Sequence, residues 1–529
     1  MSNSRPPENE WAQFQAILEF LKSSPKEWDL GLHPPQFCQV EETHGAAVIL
    51  GNNVALKLKK PVKFDHMDYS DPANRFQLLE KELRLNKKIS PSLYSHLTPL
   101  SRSAKGELSM DGRGEIIDHV LVMSRFGPSD RLDHYSREHG LSADLLDLLT
   151  DEIVSFHQGA TVISDPDELP DFHKVIDQNF NQLDQFCPDL FEMNDVQGYR
   201  KNLHEIYASL MEIENKRLKA GFVRFGHGDL HLQNICLLNG HPTLFDAIEY
   251  EDDFAISDPL YDFSFLLMDL KDKGFDKEAN YILNRYLRKS GYFENAAALE
   301  SLKMLPFFMS MRAGIRTHVA ASRSIQTEDP DLKANYRAHA QTLFGQSKTY
   351  LQPEDPAALA IGGYSGSGKS TTAASLAPEL GNTVGAIRLR SDEIRRLLIG
   401  WDDYSPMPQS AYTPDMSKSV YDRLITLAID VLKAGQPVIL DAVLDRDVDR
   451  SLFQASIKEA GFPFTGIWLD VDQTIIRQRI GGRTRDASDA TEEILEKQLH
   501  QQPEIKTDWI RINANGSTPE ICEDILSKL

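Results

Sequence analysis

Residues 363–370 read Gly-Tyr-Ser-Gly-Ser-Gly-Lys-Ser, between the apolar run Ala358–Ile361 and a helix-forming stretch that starts at Lys369. This G-x-x-x-x-G-K-[ST] pattern constrains the fold more than any other feature, because it works only where a strand turns into a helix. Gly363, Gly366 and Gly368 let backbone N–H groups wrap a β-phosphate with no Cβ in the way, and Ser367 and Thr371 complete the cradle. Lys369 reaches the β/γ oxygens of ATP, while the Ser370 hydroxyl ligates Mg²⁺. The new helix adds its positive N-terminal end to the same anion.

The surrounding sequence alternates strands and helices. Strands are expected at Ala358–Ile361, Gly385–Leu389, Val438–Asp441 and Phe464–Leu469. Helices are expected from Lys369, from Asp392, and over 417–434, 447–460 and 473–480. Such alternation implies βαβ units and a parallel sheet.

Three features point to phosphoryl transfer onto a hydroxyl rather than to a motor or a switch. Asp392 follows the second strand, where a carboxylate can take an acceptor's proton; a helix N-cap is the competing reading. Asp441 ends the apolar run Val438-Ile439-Leu440, the place of a carboxylate that holds Mg²⁺ through water. Arg477, Arg479, Arg483 and Arg485 flank Gly481-Gly482, and such a segment can close over a triphosphate. A solvated basic face is the plainer alternative for them.

Gly363–Ser370, Ser391-Asp392-x-x-Arg395, Leu440-Asp441-Ala442 and Arg485-Asp486-Ala487-Ser488-Asp489-Ala490 together resemble the small P-loop kinases. These include the AAA-like zeta-toxin, gluconate-kinase and chloramphenicol-phosphotransferase relatives. The resemblance spans nearly all of 356–529. It implies Asp392 as the base and Arg479, Arg483 and Arg485 as lid arginines.

The chain before residue 350 has its own chemistry. Ala47–Leu50 and Val54–Lys59, joined by Gly51-Asn52-Asn53, give a hairpin signal. A charged helical segment over about 74–89 and an apolar run at Ile116–Met123 follow, and helices dominate beyond. Residues 227–234 read His-Gly-Asp-Leu-His-Leu-Gln-Asn. The spacing from Asp229 to Asn234 is that of a kinase catalytic loop, with Asp229 as base and Asn234 on Mg²⁺. Asp246 closes Leu244-Phe245-Asp246, where a second metal-binding aspartate belongs. Val54-Ala55-Leu56-Lys57 matches the strand whose lysine holds the α/β-phosphates. Glu82 is a fair partner for Lys57, with Glu80 as the alternative.

His227-Gly-Asp-Leu-His-x-x-Asn234, Leu244-Phe-Asp-Ala-Ile-Glu-Tyr250 and Asp258-Pro-Leu-Tyr-Asp262 resemble the aminoglycoside-phosphotransferase and choline-kinase-like fold. The match is nearest to the branch fused to a P-loop kinase in bacteria, and it covers about 35–345. One departure is the loop Glu42-Thr43-His44-Gly45-Ala46, which carries a single glycine.

The expected architecture is therefore two domains. An α+β protein-kinase-like two-lobed fold over 1–350 and a linker at 351–357 precede an α/β P-loop fold over 358–529. The length agrees, since 529 residues exceed what one core sustains. With 79 acidic against 57 basic side chains the net charge is −22, which disfavours non-specific binding to nucleic acid or anionic membrane. Four separated cysteines make neither a disulfide framework nor a zinc site. With no signal peptide and no run of about 20 apolar residues, the expected location is the cytoplasm. The combined reading is a bifunctional phosphotransferase using ATP and Mg²⁺ on small-molecule hydroxyls. Its alternatives are a regulatory ATP-binding head, or a P-loop head that acts on nucleic-acid 5′-hydroxyls.

Overall fold

The computed structural model describes residues 8–25, 28, 39–43, 45–64, 67–248, 255–352, 355–401, 405–481, 496 and 509–529. The chain divides into two compact units, one of Met1–Pro170 with Leu218–Leu266, the other of Asp171–Arg217 with Leu267–Leu529. Among the described residues no helix is long and apolar enough to cross a membrane.

The first unit is built on an antiparallel sheet. Its strand order is Gln39–Glu42, Ala46–Leu50, Val54–Lys59, Glu115–Ser124, Tyr94–Arg102, Leu108–Ser109. The expected hairpin forms, with Val48 opposite Lys57. Alternation decides what each face carries. Leu56 and Leu58 join Ile49, Ile117 and Val120 in a core closed by Phe14, Ile17, Leu18 and Leu21 of the helix Glu8–Ser23. Lys57 and Lys59 must then face the other side, where the helix Pro72–Ile89 lies. That helix begins where Asp71 caps Ala73 N and Pro72 occupies the first turn. Arg75, Leu79, Glu82 and Asn86, spaced three and four apart, form its buried face.

Farther along this unit, Ile235–Leu238 and His241–Leu244 pair as a hairpin with Ile235 opposite Leu244. Its two-residue turn, Asn239-Gly240, has both residues at positive φ, 52° and 79°. Asn-Gly suits that turn because its twist matches that of the paired strands.

The second unit joins helices from before residue 350 to the P-loop sheet. The sheet is parallel throughout, ordered Ile387–Arg390, Val438–Asp441, Ala358–Gly362, Phe464–Asp470, Ile510–Asn513. Four of these strands match the sequence expectation; the fifth is additional. Leu359, Ile361, Ile439, Ile467, Leu469 and Ile512 pack with Ile521 and Ile525 of the C-terminal helix Thr518–Leu526.

The edge strand Ile387–Arg390 is covered by the helix Asp276–Lys289, which precedes the P-loop sequence. Asn284 Oδ1 accepts from Arg388 N at 2.6 Å. One turn earlier, Asn280 Nδ2 donates to Val384 O at 2.8 Å and to Ala386 O at 3.0 Å. Two amides at i and i+4 thus serve a strand edge that would otherwise remain a template for pairing.

Candidate active sites

In the first unit the helix Pro72–Ile89 organises one centre. Glu82 is fully buried, its Oε1 lying 2.6 Å from Lys57 Nζ and its Oε2 2.7 Å from Lys59 Nζ. Burial alone would raise its carboxyl, but the two lysines outweigh that and hold it at about 2. Glu80, two residues earlier, faces solvent. Lys57 Nζ also lies 2.6 Å from Asp246 Oδ1. The same helix fixes the segment that carries Asp246. Asn86 Oδ1 accepts from Ala247 N at 2.9 Å, and Ser90 Oγ donates to Leu244 O. Asp246 N donates to the Tyr94 hydroxyl at 2.9 Å. Burial, followed by the Asp246 charge, pushes that phenol well up, so it stays neutral. Asp246 has φ +61°, an uncommon value for a residue other than glycine and one that often marks functional positions.

The Asn-Gly hairpin sets Asn234 beside Phe245, whose N–H donates to Asn234 O at 3.0 Å. Asn234 Nδ2 donates to Asp229 Oδ2 at 2.8 Å and to Asp229 O at 3.0 Å. With its nitrogen so committed, the amide oxygen is the atom of Asn234 that could serve a cation. His231 Nε2 lies 3.3 Å from Asp229 Oδ2. Beneath the loop, the buried Asp262 accepts from His227 N at 2.8 Å and from Gly228 N at 2.9 Å. His157 Nε2 lies 3.3 Å from the same carboxylate. Burial lowers the His227 imidazole despite nearby Asp262 and Asp229, leaving it neutral to donate from Nε2 to Phe245 O at 3.0 Å. Lys59, Tyr94 and Asp262 are thus supports that the sequence reading did not single out.

In the second unit the other centre sits between Ala358–Gly362 and the helix Lys369–Leu376. Gly363 has φ +150°, and a Cβ there would lie 2.7 Å from Ser367 Oγ. Gly366 and Gly368 have φ +86° and +93°. Side chains rarely tolerate these conformations, which the loop needs for its curl. Lys369 Nζ donates to Tyr364 O at 3.0 Å, folding back over its own loop. Thr371 is exposed on the helix.

Arg390 ends the edge strand in register with Asp441. Its Nη2 donates to Ser370 Oγ at 3.2 Å, its Nε lies 3.3 Å from the buried Asp441 Oδ2, and its Nη1 lies 3.4 Å from Glu393 Oε1. The next helix, Ser391–Ile399, takes Arg390 as its N-cap, so Asp392 stands inside the first turn and is not the cap. Burial raises the Asp392 carboxyl against the pull of Arg390. Arg479 Nη1 donates to Ser367 O at 3.2 Å, and its Nη2 to Ala514 O at 3.4 Å. Arg477 pairs with Glu496. Arg483 and Arg485 lie outside the described residues.

Both centres fit a nucleotide with its metal. Ser367 Oγ is buried with no hydrogen-bond partner, inside a cradle whose curl requires glycine. Among the described residues no group of three or more His, Cys, Asp or Glu could hold a metal unaided. One or two carboxylates with an amide or hydroxyl is the donor set expected for Mg²⁺ shared with phosphates.

Comparison with known proteins agrees in outline. Residues 67–300 match the phosphotransferase enzyme family, and residues 359–504 match an AAA domain. Uncharacterized proteins of Mycobacterium tuberculosis and Mycobacterium bovis are 26% identical over 466 residues, spanning 87% of this chain and 89% of theirs. Among solved structures, the GDP complex of aminoglycoside 2′-phosphotransferase-IIIa is 14% identical, with a TM-score of 0.38, and covers 63% of this chain and 98% of its own. A gluconokinase from Sinorhizobium meliloti is 17% identical, with a TM-score of 0.24, and covers 33% and 91%.

Proposed function

On the premise that this chain joins a phosphotransferase-family region to an AAA-type P-loop region, we propose that it is a two-headed ATP-dependent kinase of small-molecule hydroxyls. The observation that supports this reading is that the expected residues gather at two separate places, Lys57, Glu82, Asp229, Asn234 and Asp246 in one compact unit and Lys369, Ser370, Asp441 and Arg479 in the other.

In the first head Lys57, held by Glu82, would bind the α/β-phosphates. Asn234 and Asp246 would hold Mg²⁺. Asp229, oriented by the Asn234 amide and His231, would take the acceptor's hydroxyl proton at a carboxylate oxygen. In the second head the glycine loop and Lys369 would bind the phosphates, and Ser370 and Asp441 would hold Mg²⁺. Arg479, already bonded to the loop, would neutralise charge on the transferred group. Asp392 is the base of that head, and burial brings its basicity nearer the working pH. Mg²⁺ would supply neutralisation of phosphate charge. The remaining work of the protein is positioning.

The test follows phosphate transfer from Mg-ATP into a cell metabolite extract by mass spectrometry. Asp229→Ala is expected to lower one product about 10³-fold, a typical cost of losing a positioned base. Lys369→Ala is expected to abolish a different product. Products that survive both changes would sink the reading, as would one product lost to both.

A further inference from the structure

Arg390 touches both groups that the proposed function gives to Mg²⁺ in the P-loop head, at 3.2 Å from Ser370 Oγ and 3.3 Å from Asp441 Oδ2. Its position follows from the sheet. Arg390 and Asp441 are register neighbours on adjacent parallel strands, so their side chains leave the sheet on the same face, toward the P-loop helix that carries Ser370. The carboxylate it meets is 4% exposed, and an uncompensated charge in such a place is costly. Glu393, one helical turn on, holds a third corner of the guanidinium at 3.4 Å. Three groups in three directions fix the fork more firmly than any single ion pair could.

We propose that Arg390 is a resident counter-cation of the P-loop centre, so that metal entry there is an exchange. The guanidinium balances Asp441, and it must release Ser370 and Asp441 before a divalent cation can take them. Glu393 keeps the side chain tethered at the rim during that exchange. Mg²⁺ alone therefore gains little at this centre. The metal is admitted when it arrives with phosphates, whose negative charge gives the displaced guanidinium a new partner. The inference rests on the assignment of Ser370 and Asp441 as metal-side groups, and on nothing about the acceptor.

The experiment uses the full chain, MgCl₂ as the only probe and no nucleotide. Thermal unfolding is recorded with and without millimolar Mg²⁺ for the wild type, Arg390→Gln and Arg390→Gln/Asp441→Asn. Any response from the first head is common to all three and cancels in the differences. The Arg390→Gln chain should unfold earlier than wild type in metal-free buffer. Mg²⁺ should then raise its midpoint by about 2–4 °C more than it raises the wild type's, as expected when a ligand binds only the folded state. The double variant should lose that extra response. An Arg390→Gln response equal to the wild type's overturns the exchange while leaving the assignment of Asp441 untouched. An extra response that survives Asp441→Asn overturns the assignment itself, and the exchange with it. Should Arg390→Gln not fold, Arg390→Lys replaces it. Lys keeps the charge but spans one partner at a time, so its Mg²⁺ response should exceed the wild type's, and equality again overturns the proposal.

Discussion

The two centres both neutralise a buried carboxylate, but they are assembled over different ranges of sequence. The first is assembled over long range: Lys57, Glu82, Asn234 and Asp246 come from a strand, a helix and both ends of a hairpin, and Lys57 and Asp246 are 189 positions apart yet meet at 2.6 Å. The second is mostly local, an eight-residue loop and two neighbouring strand ends. In the first, a buried carboxylate is neutralised by two lysines that also pin a helix to a sheet. In the second, the buried Asp441 is met by one arginine at a neighbouring strand end, while the sheet core stays apolar. Stability and chemistry should therefore be hard to separate in the first head and easier to separate in the second.

The largest expected effect tests that directly. Glu82→Gln removes the buried carboxylate that Lys57 and Lys59 share, while Asp246 stays beside Lys57. Breaking a buried pair in this way costs about 3–5 kcal/mol, so the first unit should unfold at markedly lower denaturant. The pH dependence carries a sign of its own. The folded-state carboxyl sits at about 2 against an ordinary 4.5, so Glu82 stabilises the fold above 4.5 and that contribution drains away as pH falls toward 2. The Gln variant should lack that acid limb. If Glu82→Gln is as stable as wild type at neutral pH, the contrast between the heads collapses.

How much of this was legible in the sequence follows the same divide. The P-loop and the Asp229–Asn234 spacing could be read because their partners lie within a few residues. Four of the five strands of the P-loop sheet were readable from apolar runs. Ile510–Asn513 was not, because Trp-Ile-Arg-Ile-Asn is short and its role depends on the sheet beside it. Tyr94–Arg102 escaped because Pro99 and scattered polar residues break its alternation. The choice between Glu80 and Glu82 needed the helix phase, which is set by where Leu79 and Arg75 bury. Lys59 had a usable signal, since period two from Lys57 places it on the same face. Arg390 had none, because its meaning lies in the register with Asp441. Asp262 ends the motif Asp258-Pro-Leu-Tyr-Asp262, but its bonds to two backbone amides appear only in three dimensions.

A smaller effect probes the local character of the second centre. Gly363→Ala puts a Cβ 2.7 Å from Ser367 Oγ at a φ of +150° that alanine rarely adopts. The strain, about 1–3 kcal/mol, falls on the loop that must curl round phosphate. Nucleotide affinity of the P-loop head should fall about tenfold or more, while the first head's product forms at the wild-type rate. Loss of both products would show that the loop supports more of the chain than its contacts indicate.

The smallest effect asks where the P-loop head really begins. Asn284 lies within the region matched to the phosphotransferase family, yet its amide oxygen takes the Arg388 N–H at 2.6 Å on the P-loop sheet's edge strand. Its nitrogen donates to Asn280 O at 2.9 Å, so the two asparagines are braced together. Asn284→Ala leaves that strand amide without its acceptor, at a cost of about 1–3 kcal/mol. The strand leads from Arg388 to Arg390 and on into the helix that carries Asp392, so the loss should fall on the second head and not on Lys57 or Asp229, which belong to the other compact unit. Amide exchange at Ile387–Arg390 should quicken, and the P-loop product should fall several-fold with the other product unchanged. The reverse pattern, a loss confined to the first head's product, would mean that the helix Asp276–Lys289 serves the domain its sequence belongs to and merely shelters the sheet edge.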